Sequence, residues 1–339
     1  ASLREQGLPE SLVMRRQLLS LAVGLAGMVA VTLVDYRRLQ AYAGAVLGAV
    51  VLALAAVLTP LGATANGAQS WFGFGSYQVQ PSELAKVGVI VALAAAVGGR
   101  AGSERSEWRR LLLALGVVGL VSVELLLQPD FGTFMVFVAV LLGVLLVGGV
   151  PLRWLLVLVL VGSLGVAGMF RLNLLKEYQK ERLTAFVNPS ADTGGRGYTY
   201  NYRQALIAIG SGGLTGKGYL RGTQTNLSYV PEQRTDFIFT VIGEELGFAG
   251  GAVLLLLFAV LLWRGLRIAA LARDPFGCLL ATGAVTMFAF QAFVNIGMTI
   301  GIMPITGIPL PFVSYGGSSL ISSFLAVGLL ENVHMRRYL

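Results

Sequence analysis

Histidine and cysteine are almost missing from this 339-residue chain, which has one of each, His334 and Cys278. That excludes a disulfide framework, a zinc centre built from Cys and His, and a Cys–His dyad. Acid–base chemistry must come from carboxylates, Lys, Tyr or hydroxyls. His334 stands close to Arg336 and Arg337 and reads as a membrane-surface residue. Charge is scarce too: Asp, Glu, Lys and Arg make up 12% of the chain, against about 25% in a soluble globular domain. Too little charge is left to coat a water-facing surface. Apolar residues make up 55% and come in runs of bilayer length, which rules against a soluble fold. Glycine is plentiful, with 44 residues, as membrane helices require where they approach through small side chains. The net charge of +8 mostly flanks apolar runs. It therefore reads as topology and as contact with anionic head groups or a phosphate-bearing substrate, rather than with nucleic acid.

The pattern predicts an all-α polytopic membrane protein with nine spans. They run near Gln17–Val34, Ala41–Leu61, Leu84–Val97, Leu111–Leu127, Thr133–Gly148, Trp154–Phe170, Phe237–Leu262, Leu279–Ile302 and Ser319–Leu330. One set of span ends carries twelve Lys or Arg residues; the opposite short loops, 62–82, 128–132 and 303–318, carry none. By the positive-inside rule the first set is cytoplasmic, so the C-terminus is inside and Ala1 outside. The basic first stretch (Arg4, Arg15, Arg16) would then be translocated, which predicts a tenth helix upstream. The chain divides by topology into N-terminal helices (1–171), a large extracytoplasmic loop (172–235) with a short interfacial helix at Tyr202–Ile209, and C-terminal helices (236–339). Loops of that length are usually functional, so function is expected on the outer side.

Four polar stretches border the spans. In Gln80-Pro81-Ser82-Glu83-Leu84-Ala85-Lys86, Ser82 reads as a helix cap and Glu83 as an acid at the positive end of the helix dipole. Lys86 shares a face with Glu83 about one turn inside the membrane. Ionisable groups there face a partner or a cavity, so the two form either a helix-pinning ion pair or a cation tuned to meet phosphate. In Gln128-Pro129-Asp130-Phe131-Gly132-Thr133, Pro129 breaks a helix and Asp130 either caps the next one or takes part in chemistry. Glu124, one turn earlier, reads as the partner of a neighbouring helix. In Pro231-Glu232-Gln233-Arg234-Thr235-Asp236-Phe237, Asp236 stands where the long loop re-enters a span. It is either a helix cap or a general base. Its carboxylate neighbours Glu232, Glu244 and Glu245 also suit a divalent cation. In Gly307 to Ser318, two prolines and several glycines forbid a helix. This is either a re-entrant turn or a polar cradle presenting Ser314, Tyr315 and Ser318. The loop's Gly210 to Gly218 run is not a P-loop, since Ser211 replaces the required Gly and Gly218 the Ser/Thr. Arg182, Arg196, Arg203, Lys217, Arg221 and Arg234 make that loop a candidate phosphate cradle.

Taken in order with Asn66-Gly67-Ala68, Trp71 and Glu244-Glu245-Leu246-Gly247, these stretches resemble the SEDS family of cell-wall polymerases over essentially the whole chain. The runs Gly216-Lys217-Gly218, Gly222-Thr223-Gln224 and Pro231 to Arg234 resemble its elongation branch, RodA, more than its division branch, FtsW. The resemblance implies ten helices and a peptidoglycan glycosyltransferase that joins lipid II into glycan strands at the outer face of the bacterial cytoplasmic membrane. It also implies a class B penicillin-binding protein as partner and a divalent cation, Mg or Mn, with no assignable site. It places the essential aspartate at Asp236 and the family's Glu and Lys at Glu83 and Lys86. Asp130, Arg182, Lys217, Ser314, Tyr315 and Ser318 join these as candidate substrate contacts. The rival class is a lipid II flippase or transporter. The clustering of polar motifs on one face and the absence of repeated halves favour the enzyme.

Overall fold

The computed structural model describes residues 10–65, 68–74, 77–99, 106–172, 179–180, 182, 186, 197–227, 229–230 and 232–337. The chain is a helical polytopic membrane protein. Among the described residues, six helices are long and apolar enough to cross a bilayer: those within or at Leu12–Leu33, Pro81–Gly98, Glu107–Leu127, Leu152–Arg171, Gly247–Ala270 and Pro275–Thr299. Two further apolar helices, Ala43–Val57 and Phe131–Val147, are shorter. The expected ninth span lies in the helix Gly317–Met335, whose inward face carries four buried serines, Ser318, Ser319, Ser322 and Ser323.

Contacts divide the chain into two compact units that interleave in sequence. The larger unit comprises residues 8–155, 261–290 and 315–339. It holds α1 (Glu10–Leu33), α2 (Tyr36–Ala41), α3 (Ala43–Val57), α4 (Pro81–Gly98), α5 (Glu107–Leu127) and α6 (Phe131–Val147). The start of α7 (Leu152–Arg171), most of α12 (Pro275–Thr299) and α13 (Gly317–Met335) also belong to it. At its centre is α4, buried along nearly its whole length. Small residues admit its neighbours: a side chain on Gly88 would strike Val50 of α3, and one on Gly283 would stand 2.7 Å from Ile90 of α4. Helix α1 packs along α13. Its last carbonyls, orphaned at a helix end, are taken up by α13: Asn332 Nδ2 donates to Val31 O and Val34 O, and Arg336 donates to Thr32 O (3.0 Å) and Leu33 O (2.9 Å). At Gly328 a Cβ would stand 2.8 Å from the Met28 carbonyl, which is backbone and cannot swing aside. Gly328→Leu is therefore expected to lower stability by about 1–3 kcal/mol, read as a fall in melting temperature in detergent.

The stretch 62–82, read from sequence as a loop, contains a three-stranded antiparallel sheet: β1 (Gly62–Ala65), β2 (Ala68–Phe74) and β3 (Tyr77–Val79). Ala63 pairs with Trp71 and Phe72 with Val79. Ser70 Oγ ties the sheet to Gln128 O (3.1 Å), and Gln128 Nε2 in turn donates to Leu54 O (2.8 Å).

The smaller unit comprises residues 156–260 and 291–314 together with the extreme N-terminus. It holds most of α7, then α8 (Tyr198–Ser211), α9 (Thr223–Asn226), α10 (Ile238–Glu245), most of α11 (Gly247–Ala270) and the end of α12. The short helix expected at Tyr202–Ile209 is the body of α8. Its core is Ala205, Ala208, Val230, Phe237, Met298 and Ile305, with Tyr202 and Met303 packed on it. The span read as Phe237–Leu262 is not one helix. It breaks between α10 and α11 at Gly247, which takes φ +66°. A side chain there would run into the backbone of Leu214. The chain from 301 to 316 is irregular, as two prolines and several glycines dictate.

Candidate functional site

Asp236 sits in the smaller unit at the last turn before α10. Glu232, in left-handed backbone at φ +52°, turns the chain so that its carbonyl accepts from the N–H groups of Thr235 (3.2 Å), Asp236 (3.1 Å) and Phe237 (3.2 Å). Thr235 Oγ1 closes the turn on Glu232 Oε2 at 3.0 Å. The N-cap of α10 is Phe237, with no side-chain cap bond. Neither Thr235 nor Asp236 therefore holds the N-cap position of this helix. The side chain of Asp236 is half-buried.

Two buried side chains grip this turn. Asn295 Nδ2, near the end of α12, donates to Asp236 O (2.8 Å) and to Ile308 O (2.7 Å). Ser314 Oγ donates to Thr235 O (2.6 Å) and accepts from Leu310 N (2.8 Å). The irregular stretch 305–314 is thereby tied to the turn. Gly307, at φ +78°, lies against the Asp236 carboxylate, where a Cβ would stand 3.4 Å from Oδ2. One residue before it, Thr306 O accepts from Arg182 (3.3 Å). Arg182 also lines a cleft with Phe186, Tyr202, Met303, Pro304 and Ile305. The structure thus brings Asp236, Arg182 and Ser314 to one neighbourhood. The Ser314 hydroxyl is spent inside the protein, and Tyr315 is half-buried.

Lys217 has another occupation. Its Nζ donates to Glu244 Oε1 and to Thr223 Oγ1, both at 2.8 Å. Glu244 also accepts from Gln224 N (2.9 Å), Thr225 N (2.9 Å), Thr225 Oγ1 (2.7 Å) and Thr223 Oγ1 (3.1 Å). Glu245 holds the same loop through Leu220 N (3.1 Å). Burial pushes the Glu244 carboxyl up, but the bonds from Lys217, Gln224 and Thr225 outweigh it and hold the pKa at about 2. A pKa lowered in the folded state from an ordinary 4.5 gives stability that is fully present above pH 4.5. That stability fades as pH falls toward 2. Its size is about 3 kcal/mol. Melting temperature is expected to drop between pH 5 and 3, and Glu244→Gln, lower at neutral pH, is expected to lose most of that dependence.

In the larger unit Lys86 and Glu83 form the expected pair: Nζ and Oε1 are 2.6 Å apart, and the residues are 2% and 4% exposed. Ser322 Oγ reaches Glu83 Oε2 at 3.5 Å. Ser82 is not the cap; Gln80 holds that position with Pro81 as the first helical residue. Instead Ser82 Oγ donates to Asp130 Oδ2 (2.7 Å), as does Gln80 Nε2 (3.2 Å). Asp130 Oδ1 caps α6 through Thr133 N (3.0 Å). Ser318 Oγ accepts from Gln80 N (2.9 Å). Asp130 and Ser318 therefore link α4 to α6 and α13. Glu124 has no helix partner: its Oε2 is buried without a hydrogen bond among the described residues.

Among the described residues no three His, Cys, Asp or Glu side chains stand close enough to hold a metal ion. Glu244 is committed to loop 217–225 and Glu232 to Thr235, so the carboxylates adjacent in sequence to Asp236 do not fit a cation site with it. Asn66, Gly67, Arg100, Arg105, Arg196, Pro231 and most of 173–196 lie outside the described residues. Asn295 is the site residue that sequence reading missed. Its signal was an amide in an otherwise apolar stretch, one turn after Gln291.

Taken together, these features define a multi-pass helical membrane protein whose polar machinery is built on irregular backbone beside its spans. Residues 2–339 match the FtsW/RodA/SpoVE family of cell cycle proteins. The chain is 40% identical over 320 residues to Stage V sporulation protein E of Bacillus subtilis, covering 94% of this chain and 86% of that protein. It is 37% identical over 325 residues to the peptidoglycan glycosyltransferase MrdB of Escherichia coli, covering 96% and 86%. Its fold superposes on a chain of a peptidoglycan synthase complex that coordinates polymerization and crosslinking, with TM-score 0.79, 36% identity and 96% and 90% coverage. It also superposes on the rod shape determining protein RodA of Thermus thermophilus, with TM-score 0.68, 36% identity and 98% and 90% coverage. The chain belongs to the FtsW/RodA/SpoVE family, which is the SEDS family.

Proposed function

We propose that this protein is a peptidoglycan glycosyltransferase that polymerises lipid II into glycan strands during cell elongation, with Asp236 as general base. The observation that carries the reading is a half-buried carboxylate that caps no helix, held at the meeting of two irregular segments. A sugar hydroxyl of one lipid II attacks the anomeric carbon of the other chain. The new glycosidic bond forms as the carbon–oxygen bond to the lipid pyrophosphate breaks, and the hydroxyl proton passes to Asp236. The departing pyrophosphate needs positive charge. Arg182, fixed beside Gly307 through Thr306, is the candidate cation in the same unit. Lys86 remains a candidate on chemical grounds.

The distribution of Lys and Arg supports a reading in which this chemistry runs on the outer face of the cytoplasmic membrane. The relative in a synthase complex with crosslinking supports a class B penicillin-binding protein as partner. The match to RodA supports elongation. Purified protein with lipid II in detergent, where no sidedness exists, tests the reading. Polymer dependent on Asp236 supports it; no polymer, with lipid II still moved across a vesicle membrane, supports a flippase.

A further inference from the structure

We propose that Asn295 is a positioning residue that aims the Asp236 carboxylate, an inference that rests on Asp236 being the base. The direction of a side chain is set at its Cα by the two flanking peptide planes. Both planes are pinned here. The Thr235 carbonyl, in the plane before Asp236, accepts from Ser314 Oγ (2.6 Å), and the N–H of the same plane donates to Glu232 O (3.1 Å). The Asp236 carbonyl, in the plane after, accepts from Asn295 Nδ2 (2.8 Å). The second proton of that amide goes to Ile308 O (2.7 Å), next to Gly307, which lies against the Asp236 carboxylate. One amide thus fixes both the carboxylate's bearing and the wall it faces.

The orientation of the amide follows from its partners. Both atoms within reach of Nδ2 are carbonyl oxygens, so reversing the amide would set oxygen against oxygen. Asn295 is fully buried (0% exposed), and its Oδ1 has no hydrogen-bond partner among the described residues. An unmet buried acceptor opposes the gain from the two bonds that the amide does make. The two bonds it does make satisfy the Asp236 and Ile308 carbonyls, so the amide serves stability as well as placement. What it supplies that a leucine of the same branched shape would not is a two-pronged link between backbone segments.

The test uses the purified full chain with lipid II in detergent, comparing wild type, Asn295→Leu, Ser314→Ala, the double variant and Asp236→Ala. Asn295→Leu is expected to lower kcat about 10- to 100-fold, the effect of a carboxylate misplaced by an ångström or less. KM should stay within about twofold, because the variant leaves substrate contacts in place. Ser314→Ala, which releases the other plane, is expected to fall in the same parameter. The double variant should lose less than the product of the two, as for groups acting on one geometry. Wild-type kcat in Asn295→Leu beside an inactive Asp236→Ala overturns the inference and leaves the function standing. A kcat loss matched by a rise in KM or by collapse of the melting transition makes Asn295 merely structural and also overturns it. Should Asn295→Leu not fold, unchanged kcat in Ser314→Ala overturns the clamp. Full activity in Asp236→Ala removes the base itself, and the inference with it.

Discussion

Asp236→Asn is expected to slow glycan polymerisation by about 10²- to 10⁴-fold, the range a general base contributes, without unfolding the protein. The fold should survive because the clamp around this residue uses its main chain: the Asp236 N–H donates to Glu232 O and the Asp236 carbonyl accepts from Asn295. An amide of nearly the same shape keeps every one of those main-chain bonds and replaces the proton acceptor. Asp236→Glu keeps the acceptor but carries it one methylene further from the clamped backbone. It should lose about 10²-fold for reasons of placement. Glycan product resolved on gels against time, with gel filtration and melting temperature as folding controls, checks both. Polymerisation by Asp236→Asn at the wild-type rate would show that another group takes the proton. A variant that is slow and also unfolded would not support the base, so the folding control is part of the result.

The features legible from sequence share a cause: each is written in neighbouring residues. Long apolar runs mark spans because no other solvent tolerates them. Glu83 and Lys86 share a face because residues three apart do. The irregular 305–314 stretch follows from Pro309, Pro311 and Gly307. Asp236 stands out because it closes a polar loop at the edge of an apolar run. What stayed hidden depends on partners distant in the chain. The break at Gly247 is masked by unbroken hydropathy, and only the backbone of Leu214 lying against it shows why glycine is needed. Glu244 reads as a neighbour of Asp236, yet its oxygens face residues about twenty positions earlier, Lys217 and Thr223 to Thr225. The three short strands at 62–79 carry too few residues for alternation to emerge. Asn295 acquires meaning only when Asp236 and Ile308 are seen beside it.

Lys86→Met is expected to destabilise the protein by about 3–5 kcal/mol, because it strands the Glu83 carboxylate in a buried place without its counter-charge. Glu83 is 4% exposed, and its other described neighbour, the Ser322 hydroxyl at 3.5 Å, is a weak substitute for an ammonium at 2.6 Å. Removing both charges in Glu83→Gln/Lys86→Met should restore most of that loss, since a neutral pair of similar volume no longer bears the desolvation cost of two ions. Melting temperature in detergent reads this directly, and the double variant separates the two uses weighed for Lys86. If the pair only pins α4, the rescued double variant should polymerise lipid II at close to the wild-type rate. If Lys86 also meets phosphate, the double variant will be stable and slow, with the deficit in kcat, where leaving-group stabilisation appears. A double variant no more stable than Lys86→Met would contradict the ion-pair account itself. The side-chain volume at this point of α4, rather than its charge, would then hold the larger unit together.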